Sequence, residues 1–363
     1  MPTDERQPMI IVDAQQNIAF NAQQMGRDYT RWAWHQRQEP GRQDKPAAVA
    51  SLRDNMLGRV AIVFGSLQVL SETTPGLAPW QRYTYRTAAD AQQLARWQMD
   101  NYRRLADDHS RIRLILTRAD LADVLQSWRG DNSIEKQQQG IVVKMKGAEP
   151  LSEPRQLEEW LEYGLRIVAP SWRQTRYAAA AGSTEGLTPL GYELLEVMAG
   201  FNMLLDISAM SEAATAAALD RYEGALIASH SNPRYFYNSP RCLADEQIRR
   251  LAERDGVMGI MVYNRFLRPD WHPSDPKRRV TLSHWVDAVD YVCQLTGSVA
   301  HVGLGSDIDG GYPYHALPTE IDTSSDLWLL RRELLERGFA ETEVEAILSG
   351  NMLRKLNESL PDG

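Results

Sequence analysis

Five short stretches of this chain carry residue types that can bind anions or move protons. They are Asp13-Ala14-Gln15-Gln16-Asn17, Lys144 to Lys146, Asp206-Ile207-Ser208-Ala209, Ser229-His230-Ser231 and Ser306-Asp307-Ile308-Asp309. Each follows or ends an apolar run. A lysine carried inward at the end of such a run needs a counter-anion, since burial disfavours its charged form. Asp307 is the candidate partner for Lys146. Lys144, two residues earlier, shares the same face of an extended strand and needs an acidic partner or anionic ligand of its own. A desolvated lysine is also chemically competent as a base or amine nucleophile.

The apolar runs themselves are Met9 to Asp13, Val60 to Phe64, Gly140 to Lys146, Arg166 to Ala169, Met203 to Ser208, Ala225 to His230, Val257 to Tyr263 and His301 to Asp307. Arg111 to Thr117 reads as a short accessory strand. Between the runs the apolar spacing is helical, as in Trp285, Val289, Val292 and Thr296, or Leu327, Leu330, Leu334 and Leu335. Gly224, Gly256 and Gly297 fall where helices are expected to stop. Alternating strand and helix over a chain of 363 residues predicts an α/β fold, a (β/α)8 TIM-type barrel with extra loops and helices, in one domain spanning 1–363 behind a polar lead over 1–8. In such barrels chemistry gathers at the carboxyl ends of the strands, which is where the five stretches lie. The Trp- and Gln-rich stretch Met25 to Gln43 and the stretch Thr74 to Tyr85 read as excursions near the barrel top, whose aromatics pack against it.

Composition narrows the function classes. The net charge is −8, without a basic stripe, so no nucleic acid partner is expected. The apolar stretch Met9 to Val12 is too short for a signal or membrane segment, which predicts a cytoplasmic protein with no membrane partner. Cys242 and Cys293 lack metal-type spacing and read as small packing residues. His35, His109, His272, His284, His301 and His315 form no ligand spacing.

The order GLTPLGYELLEVMAGFNMLLDIS, ALIASHSNPR, SPRCLADEQIRRLAERDGVMGIMVY, HVGLGSDIDG and SGNMLRKL is similar to successive signatures of the membrane dipeptidase (renal dipeptidase) family. The resemblance runs from Ile11 to Leu356. It implies an amidohydrolase-like barrel, a homodimer, and a dinuclear zinc site whose bridging water cleaves dipeptides. Carried over residue by residue, the family's ligand positions fall on Gln15, Asn17, Lys146, Ala209 and His230, and only the histidine is retained. Asp307 matches the aspartate that assists proton transfer. Arg241 matches the arginine that grips the substrate carboxylate, and Trp172 stands where the family has a histidine that stabilises the intermediate. Tyr263, ending the seventh run, is a further candidate for substrate contact.

Carboxamides and a methyl group are poor zinc donors, and an ammonium repels the metal. The expectation is therefore a metal-free barrel, with Lys146, Asp307 and His230 at its centre, binding a small carboxylate-bearing or dipeptide-like ligand. Arg241 reads either as the carboxylate grip or as a structural salt bridge. Two alternatives stay open. One is a metal-dependent hydrolase with at most one zinc, using carboxylated Lys146; the other is amine chemistry at Lys146.

Overall fold

The computed structural model describes residues 9–40, 44–129 and 134–363; the expected polar lead lies outside the described residues. Among the described residues nine strands occur: β1 Ile11–Gln16, β2 Val60–Gln68, β3 Ile112–Leu114, β4 Gln139–Lys146, β5 Leu165–Ala169, β6 Leu204–Asp206, β7 Leu226–Ser231, β8 Val257–Ile260 and β9 Val302–Leu304. All pairings are parallel. The order is β2-β1-β9-β8-β7-β6-β5-β4-β3, and a further pairing of β2 with β4 closes the sheet on itself.

The accessory strand stands outside the closure. β3 pairs with Gln139, Gly140 and Ile141 at the start of β4, whereas β5 pairs with Val143 to Lys146 at its end. The other eight strands form the closed parallel barrel of a (β/α)8 fold, with helices around it. Its strands are buried on both faces, which is why they read as continuous apolar runs: every residue of β2 and of β4 is buried. The helix Leu282–Thr296 turns Trp285, Val286, Val289 and Val292 onto the barrel and stops at Gly297, which is left-handed at φ 70°.

Four expectations shift. β1 runs on to Gln16 rather than ending at Asp13, where the Gln16 amide is tied down: its Nε2 donates to Asp13 Oδ2 at 2.9 Å and to Asn55 Oδ1 at 3.2 Å. β9 ends at Leu304 rather than Asp307, since Asp307 turns left-handed at φ 48°. β8 ends at Ile260, short of Tyr263. The chain turns before β8 through Asp255 at φ 54°, so Gly256 is there for space instead: a Cβ on it would lie 2.2 Å from Leu251 Cδ1.

Two places in the barrel wall govern the site. At Gly305 an added Cβ would sit 1.8 Å from the Ser229 carbonyl oxygen, so only glycine lets β9 and β7 approach around β8. Between β1 and β9 the ladder has a single residue pair, Asp13 with Leu304, and one more bridge joins Gln16 to Ile308 just past β9. Side-chain bonds take over from the backbone there: Asp13 Oδ1 accepts from Ser306 N at 2.8 Å, and Asp13 Oδ2 accepts from Ser306 Oγ at 2.5 Å.

Candidate functional site

Successive inward positions of β4 deliver two lysines into the barrel. Lys144 is fully enclosed, 3.0 Å from Asp206 Oδ2 at the end of β6 and 2.5 Å from Ser229 Oγ on β7. Burial pushes its ammonium below the ordinary lysine value, and Asp206 offsets only part of that. Burial alone would raise the Asp206 carboxyl. Lys144 and the bonds from Ser229 and Ser208 outweigh it and hold the group below the usual carboxylate range. The acidic partner that Lys144 requires is thus supplied two strands away.

Lys146, the last residue of β4, lies nearer the barrel mouth. Its Nζ is 3.3 Å from Asp307 Oδ1, and both side chains are almost wholly buried. The ring of Trp172 lies beside it, with Nζ 5.4 Å from the centroid. Burial lowers the Lys146 ammonium to about 8; the pull of Asp307 opposes this, and the neighbouring charges of Lys144 and Arg241 reinforce it. Asp307 also accepts from Asn17 Nδ2 at 3.0 Å. The oxygen of the same amide is taken up by Ser66 Oγ at 2.7 Å and Gln15 Nε2 at 2.9 Å. Gln15, Asn17, Lys146 and Asp307 therefore form one connected cluster.

His230, near the end of β7, joins the Lys144 half of the site. Its Nδ1 is 2.8 Å from Ser229 Oγ. Burial, together with the charges of Lys146, Lys144 and Arg241, keeps the imidazole well below its ordinary value and so neutral at physiological pH. Ala209 holds a left-handed backbone at φ 67°, with its carbonyl accepting from Ala181 N at 2.8 Å. Trp172 packs toward Phe20, Met25, Leu70 and Trp80, so Trp80 of the second excursion packs at the barrel top as expected, whereas Trp34 of the first and Tyr83 of the second stay exposed.

Three buried polar atoms here have no protein partner among the described residues: His230 Nε2, Arg241 Nη1 and Gln15 Oε1. Buried polar atoms are rarely left in that state, so this is where an incoming group finds bonds to make. No carboxylate lies within ion-pair distance of Arg241 among the described residues, although Asp307 is close enough to counter part of the burial that lowers its guanidinium. Tyr263 reaches the site at one remove: it stacks on Tyr312 with centroids 4.4 Å apart, and Tyr312 donates to the Asp307 carbonyl at 2.6 Å. Asp309 is committed elsewhere. It pairs with Arg27 at 2.9 Å and accepts from Val49 N and Ala50 N, clamping the loop after β9 to the first excursion.

Lys144 is paired with Asp206 and Lys146 with Asp307, while Arg241 has no ion pair among the described residues and Asp13 is bonded to Ser306 and Gln16. Burial raises Asp13 to about 6 against the bonds from Ser306 and Gln16. Among the described residues, no three His, Cys, Asp or Glu side chains are grouped so as to hold a metal ion. Sequence reasoning did not single out Ser66, Tyr312 or the pairing of Asp206 with Lys144. The last had a signal in the two inward lysines of β4, which demanded two acids, but nothing in the chain said which acid faced which lysine.

No helix among the described residues is long and apolar enough to cross a membrane. Comparison with known proteins agrees with the barrel fold. The Rhodobacter sphaeroides metallo peptidase crystallised with a phosphinate mimic of the dipeptide L-Ala-D-Ala superimposes with a TM-score of 0.79 at 21% identity, covering 97% of this chain and 99% of that one. The probable dipeptidase PvdM of Pseudomonas aeruginosa gives 0.78 at 18% identity, covering 97% and 96%. An uncharacterized protein of the pqqA 5' region of Klebsiella pneumoniae is 29% identical over 262 residues, 69% of this chain and 90% of its own length. An uncharacterized dipeptidase of Schizosaccharomyces pombe is 31% identical over 172 residues, 47% of this chain and 40% of its own length. The profile described as membrane dipeptidase (peptidase family M19) matches residues 7–359, and the chain belongs to that family.

Proposed function

We propose that this protein is a member of the dipeptidase family that works without the two zinc ions, binding a small carboxylate-bearing or peptide-like ligand at the barrel mouth. The observation that carries the reading is the Lys146 to Asp307 contact of 3.3 Å, at the position where the resemblance places a metal-bridging carboxylate. An ammonium there supplies positive charge of its own. The remaining donors do not fit a metal pair. The Asn17 oxygen is already occupied by Ser66 and Gln15, Ala209 has no donor atom in its side chain, and His230 alone offers a free ring nitrogen.

Arg241 supports the ligand half of the reading. Its Nη1 is buried without a protein partner, and a carboxylate would supply one in a bonding geometry that guanidinium favours. Asp307 would then balance Lys146 while the ligand balances Arg241. A carboxylated Lys146 would set a second anion against Asp307, and ¹³C NMR of the native protein in ¹³C-bicarbonate detects it.

The test is metal content after purification without chelator, together with turnover of a dipeptide panel in added zinc and thermal shift with N-acylated amino acids. No bound metal, no turnover, and a rise in Tm with the acylated acids that Arg241→Ala abolishes are the expected results. Two tightly held metals per chain with turnover would restore the ordinary dipeptidase reading.

A further inference from the structure

The hydrogen-bond order around Ser229 fixes which nitrogen of His230 carries the proton. Ser229 Oγ lies 2.6 Å from Asp206 Oδ2. Two oxygens this close need a hydrogen between them, and the ionised carboxylate has none to give. The single hydroxyl proton of Ser229 is therefore spent on Asp206. Lys144 donates to the same Oγ at 2.5 Å, and His230 Nδ1 stands 2.8 Å from it. With its proton committed, Ser229 can only accept from the imidazole, so Nδ1 bears the hydrogen. No acceptor faces Nε2 among the described residues, so nothing there would hold a second proton. What remains at Nε2 is a bare lone pair, enclosed and without a protein partner among the described residues.

We infer that the barrel mouth takes a ligand that donates through a neutral N–H, an N-acylated amino acid or blocked peptide whose amide hydrogen is received by His230 Nε2. This rests on the reading that a carboxylate-bearing ligand occupies the site. It adds the second anchor and its polarity. A free ammonium is a poor occupant of that anchor, because the Lys144 ammonium already donates to the hydroxyl oxygen that holds the imidazole. Gln15 Oε1, the other unpartnered acceptor, strengthens the bias toward donating ligands. Ser229 is a positioning residue in this scheme: it touches the imidazole, not the ligand, and acts by setting the tautomer.

The test pairs N-acetylalanine with O-acetyllactate, each as both enantiomers, in isothermal titration against the full chain. The two differ only by N–H in place of oxygen. Losing the donor leaves a buried acceptor unsatisfied, so the ester should bind roughly 10- to 100-fold more weakly. Equal affinity overturns the inference and leaves the carboxylate-binding reading standing; no binding of either compound removes both. Long-range ¹H–¹⁵N correlation spectra of the free protein read the tautomer directly. An unprotonated Nε2 on His230 is expected, with Ser229→Ala shifting it toward a mixture of tautomers. A protonated Nε2 overturns the inference whatever the titrations give.

Discussion

Lysine 146 should make the stability of this protein depend on pH in a direction opposite to that of a stabilising ion pair. Its ammonium is lowered from 10.5 to about 8 in the folded chain, by burial first and then by Lys144 and Arg241, against the pull of Asp307. Above pH 8 the folded protein has lost a proton that the unfolded chain still holds. Stability must then rise with pH, because the unfolded state binds more protons. Between pH 7 and pH 9 the gain from this group is roughly 1 kcal/mol, and by pH 10.5 it approaches about 3 kcal/mol. Buried tyrosines and the two cysteines work the other way at high pH, since burial raises their values where it lowers that of Lys146. The comparison is therefore kept below pH 9 and made against Lys146→Met, in which those groups are unchanged. Urea unfolding at pH 7, 8 and 9 should show the wild type gaining about 1 kcal/mol relative to the variant. A gap that stays constant across the three pH values would mean that Lys146 keeps its proton, and the picture of an ammonium confined among other cations would be wrong.

Other perturbations have equally definite outcomes. Lys144→Met strands Asp206 in a wholly buried position and should cost about 3–5 kcal/mol in urea unfolding, with restoration in Lys144→Met/Asp206→Leu checking that the charge is responsible. Ala209→Gly should stabilise by roughly 0.5–1 kcal/mol, because alanine is held at φ 67°; a loss of stability would count against the strain. Gly305→Ala should abolish soluble folded protein or lower Tm steeply, since its methyl would meet the Ser229 carbonyl at 1.8 Å. The combination Gln15→His, Asn17→Asp, Lys146→Glu and Ala209→His rebuilds an anionic and imidazole donor set, and should bring in zinc measurable by metal analysis where the parent takes up none.

The barrel was readable from the chain because parallel strands buried on both faces leave apolar runs, and all eight runs and the accessory one correspond to strands. Their ends were harder. Gln15 and Gln16 look like the exit from a strand, yet they extend β1, since Asp13, Asn55 and Asn17 accept from their amide hydrogens. Asp307 looks like strand and is a left-handed turn, a backbone choice that aspartate tolerates and that sequence pattern does not encode. The meeting of Lys146 with Asp307 could be expected from electrostatic need alone. The meeting of Lys144 with Asp206 and Ser229 could not be assigned without the register of three strands. Tyr263 was placed at the ligand by position in its run, but β8 stops at Ile260 and the ring stacks behind Tyr312.

The thin seam between β1 and β9 bears on how the chain assembles. These two strands stand near opposite ends of the sequence, so during synthesis the first must wait, with one flank open, until residues 302–304 have emerged. An idle flank invites pairing with the wrong segment or with a neighbouring nascent chain. Asp13 sits on that flank, and a carboxylate seeking donors makes an apolar intruder unwelcome there. When Ser306 arrives, its backbone and hydroxyl hydrogens meet the two oxygens that had kept the edge unattractive, so the guard against premature pairing becomes the fastening that completes the ring.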